Sequence, residues 1–219
     1  MQQPASRPPA DAGPAIVIRA LTPDQLDAAT ALLAQGMRDN PLHVKVFGAD
    51  PHRRQQRLQR FLAQLVSYVH ANGSLLGACL HGELVGVLGM LPPGQCRPTG
   101  METLRMAGAM IMSNPPTTMW RIQRWLSVWA RNDLREPHAH IGPLAVAPAW
   151  RRCGVGRELM LQGCRHVDTL DVAAWLETDL AINVAFYETL GFAVTRHETV
   201  LGVPNWFMRR APTSGLLDL

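Results

Sequence analysis

The segment from residue 141 to residue 158 constrains the fold of this chain more than any other. Its apolar start, residues 141–146, predicts a buried strand, and Pro148 ends that strand because proline has no N–H to give to a sheet. A short basic loop with two glycines follows, Arg151-Arg152-Cys153-Gly154-Val155-Gly156, and leads directly into a helical pattern. The first N–H groups of a helix lack intrahelical partners, and glycines let the backbone approach a ligand closely. The segment therefore predicts a cradle for a phosphate group.

Two motifs in the chain carry a resemblance to a known family. The first is Leu144-x-Val146-x-Pro148 followed by Arg151-x-x-Gly154-x-Gly156, and the second, downstream, is formed by Asn183, Phe186-Tyr187 and Gly191-Phe192. Together they resemble the acyl-CoA signatures of the GCN5-related N-acetyltransferase (GNAT) family, and the resemblance covers residues 75–210 well. It implies an α+β fold with a mixed, mostly antiparallel sheet and helices on both faces. The fourth and fifth strands are expected to splay apart and admit the cofactor.

The resemblance implies acetyl-CoA as the cosubstrate and assigns the residues that bind it. The fourth strand would pair with the pantetheine arm, and the Leu144 N–H would donate to the thioester carbonyl. The loop amides would wrap the pyrophosphate, while Asn183 would hydrogen-bond the cofactor arm. The expected cofactor-binding residues are Leu144, Ala145, Val146, Arg151, Arg152, Cys153, Gly154, Val155, Gly156, Arg157, Asn183 and Phe186.

The expected catalytic residues are Tyr187, His140 and Glu177. Tyr187 matches the family tyrosine near the CoA sulfur, and a phenol with a pKa of roughly 10 can donate a proton to a thiolate. The general base stays open. His140 stands where some family members carry a glutamate, Glu177 is either a base or an anchor for a cationic amine, and His138 is a third choice. Water without a dedicated base is the remaining alternative.

The resemblance implies an N-acetyltransferase that moves an acetyl group directly to an amine through a ternary complex. The end of the chain looks most like the small-molecule, puromycin acetyltransferase-like branch, which predicts a small-molecule amine as the partner. Two alternatives are a non-catalytic acyl-CoA sensor or scaffold and a protein N-acetyltransferase. A third is a nucleic-acid-binding protein that uses a basic helix face, predicted to point outward and formed by Arg53, Arg54, Arg57 and Arg60.

Composition narrows these alternatives. The net charge of +4 suits an anionic ligand such as a CoA phosphate, but the arginines are scattered, which argues against nucleic acid, and Lys45 is the only lysine. The four cysteines form no CxxC or His-rich pattern, so we expect reduced thiols and no metal. No apolar run reaches the roughly 20 residues that cross a bilayer, and the N-terminus lacks the apolar region of a signal peptide. We expect a cytoplasmic protein, monomer or homodimer, that does not contact membranes.

The periodicity of apolar residues divides the chain into segments. Residues 1–14 are expected to be a disordered leader, residues 15–211 one domain, and residues 212–219 a loose tail. The predicted order of elements is β-α-α-β-β-(α)-β-α-β-α-β-β. A helical insertion at residues 95–136, between the third and fourth strands, is expected to cover an acceptor pocket.

Overall fold

The computed structural model describes residues 16–111 and 114–212. The predicted leader and almost all of the predicted tail therefore lie outside the described residues. The strands of the described part are β1 (Val17–Ala20), β2 (Ser74–Leu80), β3 (Glu83–Leu91), β4 (His138–Val146), β5 (Ala173–Thr178), β6 (Ala193–Val200) and β7 (Val203–Arg210). Its α-helices are α1 (Leu26–Met37), α2 (Pro41–Phe47), α3 (Pro51–Asn72), α4 (Gly100–Ile111), α5 (Pro116–Asn132), α6 (Val155–Leu170) and α7 (Ala181–Glu188).

The strands form one seven-stranded sheet in the order β1-β2-β3-β4-β5-β7-β6. Every neighbouring pair is antiparallel except β4 and β5, which run parallel. These two strands pair only over His138–His140 and Ala173–Trp175, and the rest of β4 has no partner on the β5 side. The predicted α+β fold and the predicted splay of the fourth and fifth strands are both confirmed.

A bulge bends β4 where it leaves β5. The register of β3 and β4 shifts here, so that Gly142 and Pro143 together lie opposite the single residue Gly89. A Cβ on Gly89 would lie 2.7 Å from the Gly142 carbonyl oxygen, so only glycine fits at this position. Bulges increase the local bend of a strand, and this one turns β4 away from its parallel neighbour.

Helices cover both faces of the sheet through two apolar cores. Helices α1, α2, α3 and α5 pack on one face, around residues such as Leu33, Phe47 and Trp175. Helices α6 and α7 pack on the other face. As predicted, α6 turns four apolar side chains inward: Val155, Leu159, Met160 and Val167.

The predicted insertion consists of α4 and α5. Of its predicted inner face, Ile122 and Trp125 are buried, whereas Leu126 is 39% exposed. Helix α5 contacts α2, β6 and α4. The Trp129 indole Nε1 donates a hydrogen bond of 3.1 Å to the Asn205 side-chain oxygen of β7. The second helix of the insertion is thus fixed beside α2 and the C-terminal hairpin.

Two local predictions are wrong. The predicted order has two helices between the first and second strands, whereas the structure has three α-helices there. Pro41 begins the additional helix, α2, because its fixed φ suits the first position of a helix. Arg54 does not face outward: it is 5% exposed and donates to the carbonyl oxygens of Arg38, Gly48 and Ala49. Arg38 and Arg54 together lower the pKa of Asp39 to about 2. Arg54 therefore ties the ends of α1 and α2 to α3.

No described helix has both the length and the apolar character needed to cross a membrane.

The Arg54→Ala variant is expected to lower the free energy of unfolding by about 2–4 kcal/mol, since three carbonyls lose this donor and the Asp39 carboxylate keeps only Arg38 of its two arginine partners. Denaturant unfolding measures this change. The matched control is Arg53→Ala on the exposed side of the same helix, which should change stability little. Equal effects of the two variants would contradict the structural role given to Arg54.

Candidate active site

The free edge of β4 exposes backbone groups at the gap between β4 and β5. The Ala147 N–H donates to the Val85 carbonyl of β3 at 2.8 Å. Backbone groups alternate in direction along an antiparallel pair, so those of Ala145 also point toward β3. The N–H groups of Leu144 and Val146 therefore point to the side on which β4 has no strand partner. This edge can accept an extended, strand-like ligand.

The glycine loop ends at the N-terminus of α6 with open space beside it. Gly154 is the N-cap of α6 and has a φ of +84°, a conformation that favours glycine. A Cβ on Gly154 would meet no atom within 4 Å, and one on Gly156 would meet only Val146, at 3.5 Å. The start of a 16-residue helix, open glycines and basic residues match the sequence prediction of a phosphate cradle.

The side chains of this loop have different surroundings. The Arg151 guanidinium donates to the Gly36 carbonyl of α1 at 2.8 Å and to the Val146 carbonyl at 3.4 Å, so it fastens the loop to the fold. Arg152 and Arg157 are exposed, and so is Cys153, whose thiol donates to the Arg151 carbonyl. Val155 is buried, so it offers its backbone and not its side chain. Arg152 and Arg157 therefore hold their positive charges out to solvent, whereas the Arg151 guanidinium is bonded to backbone carbonyls.

His140 and Glu177 meet where β4 and β5 begin to separate. The His140 Nε2 lies 3.0 Å from Glu177 Oε2, while Glu177 Oε1 accepts a hydrogen bond of 2.9 Å from the Trp175 indole. The Glu177 side chain is 4% exposed and that of His140 is 23% exposed. Of this pair, His140 is therefore the group that can reach a ligand.

The charge of Glu177 sets the proton affinity of His140. Burial alone would lower the pKa of the imidazole, but the attraction and hydrogen bond of the Glu177 carboxylate outweigh burial, so the pKa of His140 lies above its ordinary value. The same pair would stabilise the imidazolium that forms when His140 accepts a proton.

Tyr187 lies on α7, on the opposite side of the sheet from Trp175. Its ring packs against Phe186 and Phe192, with centroids 5.2 and 6.1 Å away. Burial raises the pKa of the Tyr187 phenol, and the negative charge of Asp179 raises it further. The hydroxyl therefore keeps its proton at neutral pH. Phe186 is partly buried beside it and belongs to the same apolar core.

Asn183 and Thr178 shape the start of α7. The Asn183 amide donates to the Thr178 hydroxyl at 3.3 Å, and that hydroxyl also accepts from the Leu180 N–H at 3.2 Å. These contacts use the amide nitrogen of Asn183 within the fold. The side-chain oxygen and the second N–H of the same amide remain for the predicted contact between Asn183 and the cofactor arm.

Asp179 is a residue of this region that the sequence analysis missed. It follows β5, and its carboxylate accepts a 2.7 Å bond from the Leu42 N–H at the start of α2 and a 3.3 Å bond from the Asn40 amide. Its charge also acts on the buried His43 ring, although burial is the main reason that the pKa of His43 is lowered. Asp179 therefore joins the α1–α2 connection to the gap, across 137 residues of sequence.

His138 has surroundings that do not suit a general base. Its ring is buried, and Nε2 lies 3.0 Å from a carboxylate oxygen of Asp133. Burial would lower the pKa of His138, but Asp133 and Cys96 reverse this and raise it to about 10. A side chain that is closed off and protonated at neutral pH cannot accept a proton. Among the described residues, no group of three His, Cys, Asp or Glu side chains is placed to hold a metal.

Comparison with known proteins places this geometry in a family. The model of the Acetyltransferase (GNAT) family matches residues 40–192 of the 219. The chain belongs to the GNAT family. This GNAT protein is an enzyme, an acetyltransferase. The open edge of β4 and the glycine loop both lie within the matched residues.

Solved structures of acetyltransferases share the fold. One from Corynebacterium glutamicum, described as histone acetyltransferase HPA2 and related acetyltransferase, has a TM-score of 0.69 and 19% identity over 90% of this chain and 97% of its own. An agmatine N-acetyltransferase has a TM-score of 0.58 and 13% identity over 89% and 99%. The PaiA N-acetyltransferase of Thermoplasma acidophilum, solved with coenzyme A, has a TM-score of 0.55 and 13% identity over 90% and 99%.

Asp179→Ala is expected to lower the free energy of unfolding by about 1–2 kcal/mol, because the Leu42 N–H at the start of α2 and the Asn40 side-chain amide lose their carboxylate acceptor. Hydrogen exchange should also become faster at Leu42 than in the wild type. The matched control is the exposed Glu83→Ala in β3, which should alter neither quantity. Unchanged exchange at Leu42 in Asp179→Ala would contradict the role of this carboxylate.

Proposed function

We propose that this GNAT enzyme transfers the acetyl group of acetyl-CoA directly to the amine of a small molecule. The observation that carries the proposal is the His140–Glu177 pair, 3.0 Å apart, at the point where β4 and β5 separate. It places a proton acceptor beside the free edge of β4 and within reach of the gap. Acetyl-CoA supplies the activated acetyl group, and the protein holds it and moves the protons.

The residues present fit acetyl-CoA. The outward N–H groups of Leu144 and Val146 suit the amide-containing pantetheine arm, and the Leu144 N–H is the proposed donor to the thioester carbonyl. The open glycines of the loop and the N-terminus of α6 suit the pyrophosphate. We propose Arg152 and Arg157 as the free cations beside it, with Arg151 holding the loop in place.

We propose His140 as the general base and Glu177 as its positioning residue. The Glu177 side chain is only 4% exposed, which argues against Glu177 as a direct anchor for the substrate. An amine must be neutral to attack, so a base is needed to take its proton. The ion pair orients the His140 ring and stabilises the imidazolium that results, the same division of roles as in other carboxylate–histidine pairs.

Tyr187 is the proposed general acid. A phenol that stays protonated in an apolar environment can give its proton to the leaving thiolate. The acid lies on the α7 side of the sheet and the base on the α3 side, so the two approach the gap from opposite directions. Proton removal and proton donation are thereby assigned to separate groups.

Two observations support a small molecule as the acceptor. Helix α5 of the predicted insertion packs beside α2 and the C-terminal hairpin, in keeping with an insertion that covers an acceptor pocket. The final third of the chain, with Leu176-Glu177-Thr178 and the Phe186-Tyr187 pair, resembles puromycin acetyltransferase-like proteins. The solved relatives with this fold are described both as a histone acetyltransferase and as an agmatine acetyltransferase, so a protein amine is the competing acceptor.

Thiol release from acetyl-CoA tests the proposal, first against a library of small amines and then against peptides. Acetyl-CoA should raise the melting temperature of the protein, because it binds only the native state. Tyr187→Phe should lower kcat roughly 100-fold or more, with little change in the KM for acetyl-CoA.

The control for the tyrosine variant is Tyr68→Phe, which alters the one other tyrosine of the chain. The Tyr68 hydroxyl donates to the Gln95 carbonyl and takes no part in the proposed reaction, so kcat should stay the same. Thiol release with peptides but with no small amine would overturn the substrate class. A higher melting temperature with no turnover on any amine would indicate a non-catalytic sensor.

The rate is expected to rise with pH through the raised pKa of His140, because only the neutral imidazole accepts a proton. Glu177→Gln keeps an acceptor for the Trp175 indole but removes the charge that stabilises the imidazolium. The acidic limb of the kcat profile should then move to lower pH, while the maximal rate falls. His140→Gln should abolish this limb. A limb at the same pH in Glu177→Gln would contradict the assignment of the pair.

A further inference from the structure

Strand β6 lies at one edge of the sheet and has a free side. Among the described strands it pairs only with β7. Helices α5 and α7 contact it, but its residues 193–197 are all exposed. An edge strand presents a row of unpaired N–H and C=O groups, which is a template for pairing with another strand.

The hairpin turn shows which backbone groups point to that free side. Leu201 and Gly202 form a two-residue turn, with φ values of 51° and 80°, and such turns are closed by a hydrogen-bonded pair, here Val200 and Val203. Alternation then directs the backbone groups of Glu198 toward β7 and those of His197 and Thr199 outward. Pro204 opposite Thr199 agrees with this pattern, since that position needs no N–H toward β6.

The sequence of β6 is complementary to its own reverse. Residues 194–200 read Val-Thr-Arg-His-Glu-Thr-Val. The sequence is the same in both directions from His197, except that the residue before it is an arginine and the residue after it is a glutamate. Two copies placed antiparallel about a twofold axis at His197 would pair valine with valine and threonine with threonine. Arg196 of each copy would lie opposite Glu198 of the other.

We propose that β6 is a homodimer interface, at which two copies of this chain pair their β6 strands antiparallel about His197. The two sheets would join through hydrogen bonds between the outward backbone groups of His197 in the two copies, and Thr199 of each copy would face Thr195 of the other. Opposite charges directly across antiparallel strands have Cβ atoms about 4.5–5.5 Å apart and attract each other. Each dimer contains two such Arg196–Glu198 pairs.

Charge selects this register over its neighbours. If one strand shifted by two residues in one direction, Arg196 would lie opposite Arg196 of the other copy. If it shifted by two residues in the other direction, Glu198 would lie opposite Glu198 of the other copy. Like charges directly opposite are unfavourable. A bulge at Thr195 bends the strand there, so the regular pairing, which is symmetric about His197, is centred on Arg196, His197 and Glu198 of both copies.

The two charged side chains are held in place for this contact. Glu198 accepts bonds from Arg131 at 2.8 Å and from Asn132 at 2.6 Å, while the Arg196 guanidinium donates to Asn132 at 3.4 Å. Both side chains therefore lie on the α5 side of the sheet. A second copy would add one partner to each without breaking these bonds, because a carboxylate accepts several hydrogen bonds and a guanidinium donates up to five.

Hydrogen exchange of the wild-type protein tests the pairing without any substitution. The amides of His197 and Thr199 should exchange quickly in dilute solution and become at least tenfold slower at concentrations where ultracentrifugation detects the dimer. Protection that is equal at all concentrations would overturn the proposal, because the edge would then be covered within one chain. A protein that stays monomeric at several hundred micromolar would overturn it as well.

Charge reversal provides the second test. Arg196→Glu and Glu198→Arg should each raise the dimer dissociation constant at least tenfold, since each homodimer would then contain two like-charge pairs. An equimolar mixture of the two variants should form a heterodimer with restored affinity, because every pair across the axis is again opposite in charge. Circular dichroism of each variant alone confirms that it is folded before the two are mixed.

One control separates this interface from the effect of charge alone. Arg135→Glu makes the same change of net charge as Arg196→Glu at an exposed position outside β6. It should not affect dimer formation beyond a factor of about two. Should either reversal fail to fold, His197→Pro replaces it: this change removes an outward N–H, together with the ring contact to Trp206, and should likewise abolish the dimer. A dimer that survives the folded reversals, or a mixture that stays monomeric, would overturn the proposal.

Discussion

The early separation of β4 and β5 is the feature on which the candidate active site depends. The two strands share three paired positions, and then the bulge opposite Gly89 turns β4 away. A sheet that continued to pair would satisfy the backbone of Leu144 and Val146 and would leave no edge for a ligand. The gap also lets a carboxylate and an imidazole from neighbouring strands meet beside solvent. The cost of leaving these backbone groups without a strand partner is offset when a ligand binds them.

Separate environments act on the two proposed catalytic residues, which lie on opposite sides of the sheet. The charge of Glu177 raises the pKa of His140. The apolar surroundings of Tyr187 raise the pKa of its phenol and keep it protonated. Environments that act differently on two titratable groups are a general way to obtain an acid and a base at one pH. Asp179 contributes to both halves, because its charge reaches Tyr187 and its oxygens hold the start of α2.

The sequence allowed the fold to be predicted, because the two motifs that carry the resemblance to the GNAT family are each contiguous in the chain. The loop from Arg151 to Gly156 leads into α6, and Tyr187 lies on α7. The contacts of Arg54 and Asp179 could not be predicted in this way. Arg54 has the spacing of an exposed helix face, and only the packing of α2 against α3 buries it. Glu177 as the partner of His140 follows from a parallel register that no local pattern encodes.

The reactivity of the only lysine in the chain matters for an acetyltransferase. Lys45 is exposed in the last turn of α2, and the other basic side chains apart from histidine are arginines. Arginine stays protonated in proteins, so it is not an acceptor for an activated acetyl group. Apart from Lys45, the arginine and lysine charges of this acetyltransferase thus belong to side chains that do not accept an acetyl group from its cosubstrate. Self-modification of a lysine, with the loss of charge that follows, is restricted to one ε-amine.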